Sequence, residues 1–508
     1  MGEQEKPDDL MQRIVSLCKR RGFVFQSSEI YGGLRSAYDY GPLGVELKRN
    51  IMNEWWRAMV HEREDVVGLD ASIIMHPQVW AASGHLGGFS DPLVDCRNCK
   101  ERFRADKAPR VEAGIEVEYV EGGKNKGKKL KGVASRGYVC PVCGSPDLSE
   151  ERQFNLMFRS QMGPVDVLGQ VAQLLEDNRD LGGAQLREKL DEVIKESAVY
   201  LRPETAQAMF VQFANVQQTM SMKVPFGIAQ MGKSFRNEIT VEHFIFRSCE
   251  FEQMEMEYFV EPGTQGEWLD YWAKKRLAWW KSYSNSPEKF VLRAHEEDEL
   301  AHYADACFDI EFEYPWGFDE LEGVASRTDY DLTKHQEASG TKLSYFDQQK
   351  QDPETGKNGW RYLPYVIEPA AGATRGVLAF LLDAYCEETV ADGNGNESER
   401  VVLKLHPRLA PIKIAVLPLV KKDGMPEAAR KLVNRFFAAG INASYDEQHA
   451  IGKRYRRHDE AGTPYCLTVD GQTLEDQSVT IRDRDTMKQD RISMEKAVEV
   501  VQNRLAEV

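Results

Sequence analysis

The sequence predicts a mixed α and β protein of two or three domains, ending in an α/β module of roughly 95 residues. Three observations lead there. The chain is 508 residues long with 42% hydrophobic and 29% charged residues, which suits a soluble protein with a substantial core. Its apolar residues switch repeatedly between helical spacing and two-residue alternation. Near HPRLAPIK (406–413), two prolines precede a new strand and mark a domain boundary.

The elements follow in order. Leu43, Leu47, Ile51, Trp55 and Met59 recur every four residues, which predicts a long helix over 43–60 behind Gly41-Pro42. A cysteine-bearing insertion is expected over about 91–150 and a helical one over about 160–198, broken at Gly182-Gly183. A helix over 208–222 leads into the strand FGIAQMG, and a Trp-rich helix occupies 266–283. Residues 366–385 read as strand then helix, with Leu378, Leu381 and Leu382 on a core-facing stripe. ADGNGNESER (391–400) is a polar loop. Beyond the boundary the tail over 409–508 alternates: strand KIAVLPLV, helix 427–439, strand INASYD, a helix, strands PYCLTVD and SVTIRDR, and a helix over 493–505.

Net charge is −16, which argues against indiscriminate nucleic-acid binding. The charge is uneven. From Pro411 onward 16 Lys and Arg face 15 Asp and Glu, so the acidity lies ahead of the tail. The tail also holds GKRYRRH (452–458), readable as a solvated helix face or as a contact for a polyanion. MGEQEKPDDL lacks the basic start and apolar run of a secretory signal, and no apolar stretch approaches the roughly 18 residues of a membrane span. A cytoplasmic protein is expected.

Nine cysteines without a secretion signal make a disulfide framework improbable. Four form two knuckles, CRNC (Cys96, Cys99) and CPVCG (Cys140, Cys143), a thiolate quartet of the kind closed zinc sites use. The 40 residues between the pairs exceed a compact zinc ribbon, and free thiols remain the alternative. The extra length includes GGKNKGKKLKG (122–132), expected as an exposed hairpin tip.

One stretch resists a simple reading: GKSFRNEITVEHFIFRSCEFEQMEMEYFV (232–260). Its second half alternates, but one row is Glu250, Glu252, Met254, Met256, Tyr258 and the other Phe251, Gln253, Glu255, Glu257, Phe259. Neither row is a clean apolar face. Buried carboxylates are costly without cations or donors. The segment is therefore either an exposed acidic edge or a strand lining a site for something positively charged.

FRNE (235–238) resembles motif 2 of the class II aminoacyl-tRNA synthetases. GATRGVLAFLLDAY (372–385) resembles motif 3, and YDYGPLG with the helix after it resembles motif 1, the dimer element. Among these enzymes the chain is similar to the bacterial dimeric glycyl-tRNA synthetases. SSEIYGGLRSAYDYGPLG, FSDPLVDC, RFRADK, YLRPETAQ, CEFEQMEMEYF, ELEGVASRTDYDLTKH, EPAAGATR and YDEQHAIGKRYRRHDEAGTPYC carry the similarity over nearly the whole chain.

The resemblance implies an α+β catalytic domain over 1–408, an antiparallel sheet flanked by helices, and an anticodon-binding domain over 409–508. It implies glycine activation by ATP with Mg²⁺, without a protein nucleophile, then transfer to tRNA(Gly), by a homodimer that binds neither membrane nor DNA. Arg236 would contact the α-phosphate and the amino-acid carboxylate, and Arg375 the γ-phosphate. Glu238 would meet the adenine amino group, with Asn237 beside it and Phe246, Arg247, Ser248, Cys249, Glu250 and Phe251 flanking the base. Glu320 and Leu321 would bind ATP again, where a carboxylate suits Mg²⁺, as would Gly372, Ala373 and Thr374. Glycine offers only its charged ends, so Glu204, Glu255 and Glu368 would converge on the ammonium and Arg327 would orient them. Glu252, Gln253, Met254, Phe251, Pro369, Ala370, Ala371 and Gly372 would lie around them, with Arg104 reaching in from the insertion. Lys453, Arg454, Arg456 and Arg457 would contact the tRNA backbone.

The chain departs from the family pattern twice. Ala370 stands where the motif has serine, and EQHAIGKRYRR lacks the usual glycine-containing turn before Ile451. Bland readings exist for each residue. Arg236 with Glu238 fits a cross-strand surface pair, Arg327 with Asp329 and Asp331 an ordinary ion network, and His85 a satisfied structural histidine. Another class II synthetase, or a related accessory protein that binds nucleic acid without catalysis, are the rival functions. The latter typically loses the motif 2 and 3 arginines, and both are present here.

Overall fold

A computed structural model describes residues 7–34, 36–122, 127–164, 166–196, 198–239, 243–301, 303–391 and 397–506. Residues 1–6 of the acidic start, 123–126 of the expected hairpin tip and 392–396 of the expected loop lie outside these.

Seven strands form the central sheet: β1 Val66–Gly68, β2 Phe226–Phe235, β3 Glu250–Val260, β4 Phe290–Ala294, β5 Ala306–Tyr314, β6 Gly317–Thr328 and β7 Tyr365–Gly372. Their order is β4-β5-β6-β7-β3-β2-β1, antiparallel throughout except for the parallel edge pair β1–β2. This is the expected antiparallel sheet with helices against it.

Three helices cover one face: α1 Pro42–Trp56, α2 Gln265–Ser282 and α3 Ala373–Ala384. Pro42 starts α1 where its missing N–H costs nothing. The four-residue stripe read from the sequence is the buried one: Leu47, Ile51 and Trp55 are fully covered. Gly44 lets α1 approach the preceding turn, since a Cβ there would lie 1.8 Å from the Phe23 carbonyl oxygen. On α2, Arg276 and Trp280 converge on the buried Glu322 of β6, at 2.6 and 2.5 Å, and bolt the helix to the sheet.

The paradox of β3 resolves here. Met254, Met256 and Tyr258 join the core beneath the helices. Gln253, Glu255 and Glu257 turn to the opposite face and are buried as well. A strand covered on both sides shows no polar row to solvent, so its carboxylates need cations or donors inside the fold.

The insertion contains a three-stranded sheet of Ser90–Asp95, Arg102–Arg104 and Arg152–Asn155, and a hairpin of Glu116–Val120 with Lys129–Val133. Two helices, Val167–Asp177 and Gly183–Glu196, follow, with the break where the glycine pair predicts it. The helix expected over 208–222 is two short ones, Ala206–Val211 and Phe213–Thr219.

The tail builds its own five-stranded sheet: β8 Ile414–Pro418, β9 Ala443–Tyr445, β10 Tyr465–Val469, β11 Ser478–Asp483 and β12 Gln489–Ser493, ordered β9-β8-β10-β11-β12. The first three are parallel and the last two add antiparallel. Helices α4 Met425–Ala438, α5 Ile451–Glu460 and α6 Ala497–Ala506 accompany a separate core around Leu432, Phe436 and Leu467. The single helix expected over 493–505 begins after β12, whose QDRIS has no apolar alternation to announce a strand. No helix among the described residues is long and apolar enough to cross a membrane.

Candidate functional site

A cleft of about 330 Å³ opens on the sheet face opposite α1 to α3. At its inner end carboxylates gather. In β3 and β7, Glu255 pairs with Ala370, which sets Glu255 and Glu368 into neighbouring rows of one face. Glu204 comes from the turn before Ala206–Val211. Glu255, Glu257 and Glu368 each offer an oxygen within 4.8 Å of the others.

Arg327 at the end of β6 answers this charge. It donates to Glu368 at 2.5 Å and forks onto Asp331 at 2.8 and 3.0 Å, while stacking 3.8 Å over the Tyr303 ring. Glu255 accepts from the Thr205 backbone N–H at 3.0 Å, from the Thr205 hydroxyl, and from Gln253 at 3.3 Å. Glu204 accepts from Gln207 at 2.8 Å and sits 3.4 Å from His85. Gln207 also donates to Asp331 at 2.9 Å and bonds His335 at 2.8 Å.

Burial and like charge push these groups apart. Burial, with Glu368 and Glu204 adding, lifts Glu255 to about 8 against Thr205 and Arg327. Glu257 rises well above the carboxylate range for the same leading reason, followed by Glu368. Its two oxygens are fully buried without a hydrogen-bond partner among the described residues. Burial also raises Glu368, against Arg327. Glu204 goes the other way: burial opposes it, but His85, Arg327 and Gln207 together hold it low. Glu255, Glu257 and Glu368 thus hold a proton more tightly than a free carboxyl does, and Glu204 less tightly.

The outer end is cationic. The guanidinium of Arg236 lies between the Phe89 and Phe251 rings, at 5.5 and 5.3 Å, with its Nε on the Pro203 carbonyl. Arg375 starts α3 beside Gly372, lies 4.3 Å over Phe246, and reaches the Glu320 carboxylate at 3.1 Å. Arg375 holds the Glu320 carboxyl below its usual range. Glu238 faces Arg247 at 3.5 Å.

Most residues singled out from the sequence line this one cleft: Glu204, Arg236, Glu238, Phe246, Arg247, Ser248, Phe251, Gln253, Glu255, Glu320, Glu368, Ala370, Ala371, Gly372, Thr374 and Arg375. Others do not line it. Glu252 is turned to the helix side, where it pairs with Lys48, and Met254 is core. Leu321 and Ala373 are also core, and Glu250 pairs with Lys233 in solvent. Asn237 bonds through its backbone to Leu156, Cys249 accepts from Ser36, and Pro369 keeps its place in β7. Arg327 acts from behind Glu368. Arg104 is held by Asp91 at 2.8 Å and Asp106 at 2.6 Å, outside the lining.

Sequence reasoning does not pick out Glu257, Gln207 or Asp331 for the site, and it reads His85 as structural. Glu257 carries a signal: it lies one strand period beyond Glu255. Gln207 and Asp331 carry none, because helix packing alone brings them in.

Away from the cleft, the four knuckle cysteines meet. Cys96 faces Cys143 and Cys99 faces Cys140, both at 3.6 Å between sulfurs. A tetrahedron of sulfurs about 2.3 Å from a zinc ion has edges of about 3.8 Å. Cys140 is raised and Cys99 raised to about 11, both chiefly by burial; at Cys143 burial also pushes up, but the Ser145 backbone, Asn98 and the neighbouring thiols together lower it. In the tail, Lys453, Arg456 and Arg457 line a shallow surface cavity with Arg21 and His449. Arg454 does not: it is 2% exposed and donates to the carbonyls of Pro418, Leu419 and Asp446.

The tail matches the family described as "Anticodon binding domain" over residues 413–504. The chain is 50% identical over 482 residues to "Glycine--tRNA ligase" of Treponema denticola, covering 95% of this chain and 94% of that protein. It is 50% identical to the Ruminiclostridium cellulolyticum protein of the same name, covering 97% and 98%, and 48% identical to that of Bifidobacterium longum, covering 98% and 93%. At that identity and coverage, with a synthetase-like sheet and an anticodon-binding tail, the chain belongs to the glycine--tRNA ligase family.

Proposed function

We propose that the cleft joins glycine to ATP and that the same surface then passes the glycyl group to tRNA. One observation carries the reading: Glu204, Glu255 and Glu368 meet at one end of a cleft whose other end holds Arg236 and Arg375. Glycine's ammonium enters among the carboxylates. Its carboxylate oxygen attacks the α-phosphorus of ATP, and pyrophosphate leaves. The guanidinium of Arg236 neutralises the phosphoryl charge that develops, and Arg375 steadies the far end of the nucleotide. Mg²⁺ would be held by Glu320 and would shield the phosphates. A terminal ribose hydroxyl of the tRNA then attacks the glycyl carbonyl and expels AMP. Catalysis here is positioning and electrostatics.

Selectivity has two sources. The charged ends are read by buried partners, and a larger side chain would have to displace the packed, hydrogen-bonded wall of Glu255, Thr205 and Arg327, which costs more than a missing methylene saves. Ala370 leaves this wall without the family's hydroxyl, so the carboxylates do the reading. In the tail, Lys453, Arg456 and Arg457 face the tRNA backbone, and unstacked anticodon bases offer the edges to be read. The cysteine quartet fits a structural zinc ion that would crosslink the two knuckles of the insertion. A second copy of the chain covers Ile30, Tyr31 and Leu34, which stand 88%, 88% and 61% exposed just before α1.

The test is ATP–pyrophosphate exchange run with each of the twenty amino acids. Exchange with glycine alone is the expected result. Equal exchange with alanine or serine, or none with any amino acid, overturns the proposal.

A further inference from the structure

His295, Cys307 and Asp309 also line the cleft, and the reading above gives them no role. We infer that these three form a site for a borderline-soft divalent cation of the zinc class, with one coordination position open to the cleft.

The ligand set follows from strand geometry. Cys307 and Asp309 are two apart on β5, so both side chains stand on the cleft face. They pair with Ala325 and Gly323 of β6, which place almost no bulk beside them. His295 directly follows β4, and its backbone N–H donates to the Cys307 carbonyl at 3.0 Å, which sets the ring opposite Cys307. One nitrogen, one sulfur and one oxygen thus come within 4.8 Å of one another. Bonds of about 2.0–2.3 Å around a tetrahedral ion separate such ligands by roughly 3.3–3.8 Å, within reach by side-chain rotation. The mixed set excludes a preference for Mg²⁺, which takes oxygen ligands, and favours zinc or cobalt.

Asp309 is built to serve both an ion and a support. Its hydrogen bonds among the described residues, from Arg293 at 3.1 Å and with His295 at 2.7 Å, fall on Oδ2. Oδ1 looks toward Gly323, where even an added Cβ would remain 3.9 Å away. A cation on Oδ1 and the His295 nitrogen would open the His295–Asp309 contact and leave Arg293 as the outer partner that orients the carboxylate. Arg293 in turn is tied to Glu299 at 2.8 Å and Glu311 at 2.7 Å, and Glu320 lines the same cleft. Asp309, Glu299 and Glu311, three carboxylates on the one guanidinium of Arg293, leave negative charge for a cation to balance. Three protein ligands with a fourth position facing a cleft is the arrangement of a zinc site that binds water or a substrate oxygen. The site does not depend on which amino acid the cleft accepts.

The experiment is Co²⁺ titration of the chelator-treated full-length protein, read by metal content and by the thiolate-to-cobalt and d–d absorption bands. Wild type is compared with Cys307→Ala and with His295→Gln, each checked for a cooperative melt. The cysteine quartet is present in all three, so the difference isolates the new site. Each variant is expected to hold one equivalent of Co²⁺ per chain less than wild type, and the difference spectrum to carry the bands of a tetrahedral ion with a single thiolate. Should Cys307→Ala fail to fold, His295→Gln makes the same comparison from the partly exposed rim. Equal Co²⁺ in wild type and a folded variant overturns the site.

Discussion

Arg327 and Glu368 sit on adjacent strands and close a 2.5 Å ion pair at the buried end of the cleft, with Arg327 only 2% exposed. Through Arg327 the pair is joined to Asp331, and through Asp331 and Gln207 to Glu204. The carboxylate cluster is thus wired to the buried guanidinium of Arg327.

Removing that cation strands buried charge. Arg327→Gln should lower stability by about 3–5 kcal/mol in urea unfolding, because Asp331 and Glu368 lose their partner together. Glycine-dependent exchange should fall below detection. An Arg327→Gln protein as stable as wild type would contradict this account.

Glu255 makes the pocket sensitive to pH. Its carboxyl stands at about 8 in the fold against an unfolded 4.5, lifted by burial and by Glu368 and Glu204, with Thr205 and Arg327 opposing. Glu257 and Asp331 face the same cluster, as does His85 across Glu204. Between those two values the folded chain binds more protons at Glu255 than the unfolded chain does. Its contribution to stability is therefore fully present below pH 4.5 and is lost as pH rises through about 8. A bound ammonium favours the ionised form, so KM for glycine should fall on the order of tenfold from about pH 6 to about pH 8. Glu255→Gln should flatten that slope; a variant with the wild-type slope would assign it elsewhere.

Metal should hold the insertion together. Cys99→Ser should remove about one equivalent of zinc, that of the quartet, and leave any ion at His295, Cys307 and Asp309 in place. Chelation should expose the hairpin of Glu116–Val120 and Lys129–Val133 to protease while the central sheet stays resistant, because a structural zinc contributes directly to local folding. An insertion equally resistant with and without chelator would refute the role.

The cationic helix of the tail divides into two kinds of residue. Glutamate at Lys453, Arg456 and Arg457 should weaken tRNA binding and reduce its salt slope by about 0.7–0.9 for each phosphate left without a cation. Arg454→Glu should instead unfold the tail, since its three carbonyl partners lie inside. Melting and filter-binding curves on the two variants separate the effects.

Self-association should depend on the exposed run before α1. Wild type should sediment as a dimer, and aspartate at Ile30, Tyr31 and Leu34 should give a monomer at micromolar concentration. A dimer that survives all three changes would place the interface elsewhere.

Elements whose apolar pattern is local are legible in the chain. The stripe Leu47, Ile51, Trp55 marks α1, and the glycine pair at 182–183 marks the break between two helices, because helical spacing and backbone freedom are properties of neighbouring residues. The short edge strand β12 is not legible: its pairing with β11 comes from tertiary contact and its side chains are polar. Within the site, the motif residues Arg236, Glu255, Glu368 and Arg375 can be named from the chain, but their common cleft cannot be derived from spacing.

Residue chemistry and local pattern settle which side chains carry charge and which strands and helices hold them. The direction each one points is settled by packing. Glu252 and Glu255 lie three apart on one strand, and the pleat sends the first to Lys48 behind the sheet and the second into the pocket. Arg454 and Arg456 share one basic run, and helix rotation buries the first and leaves the second on the surface cavity. A carboxylate's charge is written in its chemistry, but its proton affinity depends on which neighbours the fold brings to it. That is why Glu204 and Glu255, both buried, move in opposite directions.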